Sequence, residues 1–291
     1  MPWMSLTERA RQTLKIPGAA DFLALEGNDA WVTNEGRVEK LTADSRGPVA
    51  SVAVAEPCGG MAIDFGSLWV VDCQSRSLVR VDLESSRVDA VIPTGIADPT
   101  GELSVATGAG SVWLLTDPAG VLSRLDPRAN QVIARIPVQP GSFSAVFGFG
   151  SVWISTFAAG GPGSVQRIDP GSNTVVATIP VGPGPRFLAA GAGALWTLNQ
   201  GDGTVSRVDP ASNRLAATIG TDVPGAGGDI AAGAGRVWVR ATRTPLSVID
   251  PGSNRVVARY GPPCGSGAVR ANEDVVWVTA HDTQTVWILK P

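Results

Sequence analysis

Histidine and tyrosine each occur once in the 291 residues, and cysteine three times. A single histidine rules out any centre that needs two imidazoles. The cysteines, Cys58, Cys73 and Cys264, include no CxxC pair, so no zinc-ribbon spacing is present. Positive charge is not in excess: 23 Lys and Arg against 26 Asp and Glu leave a net charge of −3. That balance gives no electrostatic footprint for nucleic acid. No apolar run approaches the roughly 20 residues that span a bilayer. The opening stretch MPWMSLTERARQTLK has no apolar core of a signal peptide. The expected compartment is therefore cytoplasmic, or extracytoplasmic if a leader has been removed. GxSxG, HExxH and Walker motifs are missing, and the GxG strings before several tryptophans have no following helix, so they are turn glycines and not a dinucleotide fingerprint.

The chain is rich instead in glycine (35), proline (22) and tryptophan (9). With many Val and Thr, this composition suits short strands joined by tight turns. Seven tryptophans share one local context: Trp31, Trp69, Trp113, Trp153, Trp196, Trp238 and Trp277, spaced by 38, 44, 40, 43, 42 and 39 residues. A period of about 40–50 residues is that of a four-stranded propeller blade. Each unit reads as an apolar first strand, a tight turn such as Gly191-Ala192-Gly193, the tryptophan strand, a third strand of the type VSRVD, and a fourth of the type TVVATIPVG. The third and fourth strands meet at Asp-Pro-x-Ser-Asn corners (Asp169–Asn173, Asp209–Asn213, Asp250–Asn254), where Pro presets φ and Asn tolerates left-handed geometry. Arg80, Arg124, Arg167 and Arg207 recur in register before these corners, as structural residues do. The last unit stops after its third strand at TVWILKP, while RQTLKIPG near the start matches a fourth strand. The expected fold is all-β: one seven-bladed β-propeller over residues 1–291, its ring closed by residues 1–17 supplying the outer strand of the last blade.

The strings WVTN (Trp31–Asn34), VIDPGSN (Val248–Asn254) and VVATIPVG (Val175–Gly182) resemble the YVTN-type propeller repeat. The wider WD40-like group includes the bacterial streptogramin (virginiamycin) B lyases. The resemblance covers nearly the whole chain and rests on scaffold motifs, so it implies the fold far more strongly than an activity. The lyases use two histidines, an acidic residue and a magnesium ion. With one histidine this chain cannot complete that set.

In a propeller, the loops entering each first strand and those joining second to third strands share one face around the central channel. Function is expected where the seven units disagree on that face. Four residues after the repeat tryptophans stand Glu35, Cys73, Asp117, Phe157, Gln200, Thr242 and His281, different in every blade. The entry loops add Cys58, Glu102, Phe143, Arg186, Asp229 and Cys264. Arg270 takes a first-strand position where five blades have Ala and one has Val; a charge there is costly unless it reaches the channel or a partner. The expected ligand site therefore comprises Arg186, Arg270, Glu102, Asp229, Phe143, Glu35 and Asp117, with His281 as the catalytic base if chemistry occurs. Cys58 and Cys73 fall at cross-strand neighbouring positions and are a disulfide pair by register, which would favour an oxidising compartment. Two functions stay open. One is binding of a small molecule or peptide at the channel mouth by a monomer. The other is a lyase or hydrolase on the same face, using a divalent cation such as Mg or Ca held by rim carboxylates (Glu35, Asp72, Glu102, Asp117, Asp229).

Overall fold

A computed structural model describes residues 3–95, 102–117, 119–157, 162–221, 225 and 227–291, without the side chain of Asp117. Seven antiparallel sheets follow one another along the chain, each with its first strand inside and its fourth outside. Blade 4 shows the plan: Ser142–Gly148, Ser151–Thr156, Gly163–Asp169 and Thr174–Val181. The fold is a seven-bladed β-propeller. No helix among the described residues is long and apolar enough to cross a membrane.

The repeat residues explain the geometry. Between first and second strands the pairs Phe65-Gly66, Ala109-Gly110, Phe149-Gly150, Ala192-Gly193 and Ala234-Gly235 all have positive φ, which is the two-residue turn whose twist matches the flanking strands. At the corners between third and fourth strands, Asn130, Asn173, Asn213 and Asn254 take left-handed φ of 53 to 56°. Hydroxyls of Ser85, Ser212 and Ser253 cap Asp82, Asp209 and Asp250, and these bonds hold the three carboxyls below the usual range.

The core is divided among the blade interfaces. Each of seven apolar clusters joins two neighbouring blades, as where Trp113 and Leu115 of blade 3 meet Val152, Ile154 and Ile168 of blade 4. In blades 2 to 5 a polar staple reinforces the seam. The Arg124 guanidinium lies 4.8 Å from the Trp113 ring centre and donates to Pro170 O (2.7 Å) and Asn173 Oδ1 (2.9 Å) of the next blade. Arg80, Arg167 and Arg207 repeat the contact.

Ring closure uses the N-terminal segment twice. Gln12–Lys15 pairs antiparallel with Thr285–Leu289, completing the last blade. Met4–Ser5 also pairs, in parallel, with Tyr260–Gly261, giving blade 6 a fifth strand that the repeat pattern does not contain. Between the two, a helical turn Leu6–Arg9 buries Leu6, and Thr7 Oγ1 accepts the Trp287 indole N–H at 3.1 Å. Trp287 is buried in the third strand of that blade.

Candidate functional site

The channel opens between the first strands, and small residues make room for it. Ala106, Ala145, Ala189, Ala190, Ala231 and Ala232 line a cavity of about 270 Å³. Toward the mouth its walls become Phe22, Leu103, Phe143 and Phe187, with the Phe143 and Phe187 rings edge to face at 5.5 Å. Glu102, Asp229 and Arg270 supply its charge. A narrower recess beside it is lined by Asp21, Glu102, Arg186, Phe187, Gln200 and Ser266, among others.

Glu102 is set in place by a loop contact. Gly59 forms a parallel bridge with Leu103, and Leu103 N–H donates to Cys58 O at 3.0 Å. Gly59 has a φ of +144°, and a Cβ there would fall 2.0 Å from Leu103 O, so only glycine allows the approach. The Cys58 and Cys73 sulfurs are bonded in the structure, with Cα atoms 5.9 Å apart, which ties the same loop to the second strand of blade 2. Cys264 is a free thiol, against the cluster between blades 6 and 7.

Asp229 begins the first strand of blade 6 and is 2% exposed. Its carboxylate accepts the N–H groups of Ile230 (2.9 Å) and Val269 (3.1 Å) and pairs with Arg270 of the next blade. Burial pushes the Asp229 carboxyl up, and Arg270 and the two N–H groups pull against it. Arg270 thus discharges the burial cost of its unusual position on Asp229 and Val269 O.

Asp21, at the entry to blade 1, has its carboxyl pushed up from 3.8 to about 6, first by burial and then by Glu102 and Asp229; His281 and Arg240 oppose the shift. Glu102 keeps solvent access along the channel, yet the protein enclosing it raises its carboxyl too, against the pull of Arg186 and His281. Neither carboxylate accepts a hydrogen bond among the described residues. Asp21, at about 6, stands in the range where protonation and deprotonation compete near neutral pH.

The structure places His281 directly after the second strand of blade 7, Val276–Ala280. It belongs to neither cavity lining. It begins a 3₁₀ turn, His281–Thr283, half-buried, with Nδ1 2.8 Å from Asp282 Oδ1. Its influence on Asp21 and Glu102 is electrostatic and exerted from the rim. Glu35 also lies elsewhere, in a side groove with Asn34, Glu56 and Pro57 that only Asp21 and Phe22 share with the mouth. Asp117 has its side chain outside the described residues. Asp72 is spent on its own turn, accepting from Glu56 N, Gln74 N and Ser75 Oγ. The structure therefore brings Glu102, Phe143, Asp229 and Arg270 into one cavity with Arg186 beside Glu102, and leaves Glu35 and His281 apart. No group of three or more His, Cys, Asp or Glu with metal-holding geometry occurs among the described residues.

Two residues at this end carry no motif. Asp21 stands ten residues before Trp31, as Phe143 and Arg186 do before Trp153 and Trp196, so alignment of the entry loops points to it. Arg240 replaces Thr, Val, Leu or Ser found two residues after the other repeat tryptophans, and it is fully buried. Its guanidinium donates to Thr279 O (3.1 Å), Gly265 O (2.6 Å) and Ala241 O and touches Cys264 Sγ at 3.5 Å, locking the entry loop of blade 7. Burial pulls Arg240 below its ordinary value and pushes the Cys264 thiol up.

No protein-family model and no curated protein sequence matches the chain. Solved structures do. Selenomethionine-substituted virginiamycin B lyase from Staphylococcus aureus matches with a TM-score of 0.75 at 12% identity, covering 96% of this chain and 98% of that one. Hydrazine synthase of Kuenenia stuttgartiensis matches with a TM-score of 0.76 at 13% identity, covering 95% and 97%. At such identities these are likenesses of the whole propeller, and they leave the site to be argued from its own residues.

Proposed function

We propose that the protein binds a small molecule at the channel mouth. The observation that carries this is the cavity of about 270 Å³, whose walls are apolar and aromatic while its polar groups, Glu102 and the Asp229–Arg270 pair, are few and converge from three blades. Concave, mostly apolar sites with a few placed polar groups are where small ligands gain affinity. Thermal-shift screening of small polar and amphiphilic molecules, followed by calorimetric titration, tests it. Ligands that raise the melting temperature should lose affinity in Phe187→Ala; a library without a single stabilising member counts against binding.

A second function, proton-transfer catalysis of the lyase or hydrolase type, is favoured by one specific observation. Asp21, with a carboxyl at about 6, is matched to general acid–base work near neutral pH. In this version Asp21 and Glu102 move the proton, and His281 tunes them from the rim. A bell-shaped rate profile abolished by Asp21→Asn supports it; turnover unaffected by that change removes it.

A further inference from the structure

Arg186 differs from the other arginines at this end of the ring. Arg270 is engaged by Asp229, and Arg240 by backbone carbonyls. The Arg186 guanidinium lies over the Phe143 ring at 4.7 Å and the Phe157 ring at 5.6 Å. Ser155 Oγ donates to its backbone carbonyl at 2.9 Å, fixing the chain beneath it. Among the described residues its guanidinium makes no hydrogen bond and no ion pair. Aromatic faces thus hold the fork in place, and the ordering cost of a long side chain is largely met before any ligand arrives. Beside it, Glu102 and Asp21 line the same recess with carboxylates that accept no hydrogen bond from the described residues.

Resting on the small-molecule function proposed above, we infer that the mouth takes a zwitterion, an amino acid or a molecule bearing the same two groups, with its carboxylate on Arg186 and its ammonium between Asp21 and Glu102. The planar guanidinium matches a carboxylate through two parallel hydrogen bonds. An ammonium supplies hydrogen-bond donors and a positive charge in contact with Asp21 and Glu102, whose carboxyls burial raises. Phe22, Phe143 and Phe187 leave an apolar wall for the ligand's side chain. The charges are of both signs, so a ligand with only one charge would leave the other set without a hydrogen-bonded partner in a narrow, partly desolvated recess.

The test is calorimetric titration of the full chain at pH 7.5 with each of the twenty amino acids and with γ-aminobutyrate. The tightest binder is then compared with its N-acetyl derivative and its carboxamide. Each blocked form should bind at least about tenfold more weakly, the loss of one charged hydrogen-bonded contact. Arg186→Met should bind acid and carboxamide alike, and Glu102→Gln should narrow the gap between the free and acetylated amine, with melting curves confirming that both variants fold. Three results overturn the zwitterion: no amino acid binds, a blocked form binds as well as its parent, or Arg186→Met keeps its preference for the acid. If neutral molecules bind while amino acids do not, small-molecule binding stands and the zwitterion falls. If nothing binds, both fall.

Discussion

Blades 2 to 5 and the closing sector of blades 6, 7 and 1 are built from the same repeat and hold together differently. In blades 2 to 5 the residue opposite the repeat tryptophan is Arg80, Arg124, Arg167 or Arg207, and it staples its blade to the next corner. In the closing sector the same register holds Val248, Ile288 and Lys40. There the N-terminal segment binds the edges of blades 6 and 7, and buried polar groups (Arg240, Asp229 with Arg270) lock the rim. The difference shows how a symmetric ring acquires an asymmetric end. Where the staple repeats, entry residues can vary without endangering the seam. Where it is missing, side chains at the rim take over the structural work, and the charges they bring shape the mouth.

The largest effect should come from the closing segment. Deleting residues 1–16 removes two edge strands and the buried Leu6, Leu14 and Ile16. At about 2 kcal/mol for each buried side chain, the melting temperature should fall by more than about 10 °C. An unchanged melting curve would mean that the ring closes without this segment. The next contrast sets the two locks side by side. Arg240→Met strands the carbonyls of Thr279 and Gly265 inside the rim and should cost about 3 kcal/mol, whereas Arg207→Met, at a half-open corner, should cost about 1 kcal/mol. Equal losses in urea unfolding would erase the distinction between sectors.

A smaller effect carries a sign. Asp21 holds its proton up to about 6 in the folded protein and releases it near 3.8 when unfolded. The folded state therefore binds more protons between those values, and stability should fall as pH rises from about 4 to about 6. Asp21→Asn should flatten that slope and stabilise the protein at pH 7 by about 1–2 kcal/mol, allowing for its partial contact with solvent. A slope that survives the substitution places the proton elsewhere. The smallest effect is expected from His281→Ala, under about 0.5 kcal/mol, because among the described residues the imidazole pairs with the exposed Asp282 on a surface turn. A larger loss would make His281 part of the lock and not of the rim's electrostatics.

The tryptophan register, the Gly turns, the Asp-Pro-x-Ser-Asn corners and the missing last strand were sufficient for seven blades and their closure, because each is a local backbone requirement repeated along the chain. The same repetition made Glu102, Phe143, Arg186, Asp229 and Arg270 stand out, since they break a pattern at positions facing one axis. The pattern could not say how far each side chain reaches inward. His281 and Glu35 share a repeat position, yet a 3₁₀ turn holds one on the rim and a side groove takes the other. Met4–Ser5 has no repeat counterpart, so its pairing with blade 6 was invisible in the period.

The sequence alone thus fixes the scaffold and the face on which its seven units disagree, because strand periodicity and turn chemistry are short-range properties written residue by residue. Which charges neutralise one another depends on distances between neighbouring blades: Asp229 with Arg270, Arg240 with Gly265, and Arg186 on Phe143, its donors unpaired among the described residues. Those distances come from closing the ring, and they decide which polar groups remain for a ligand.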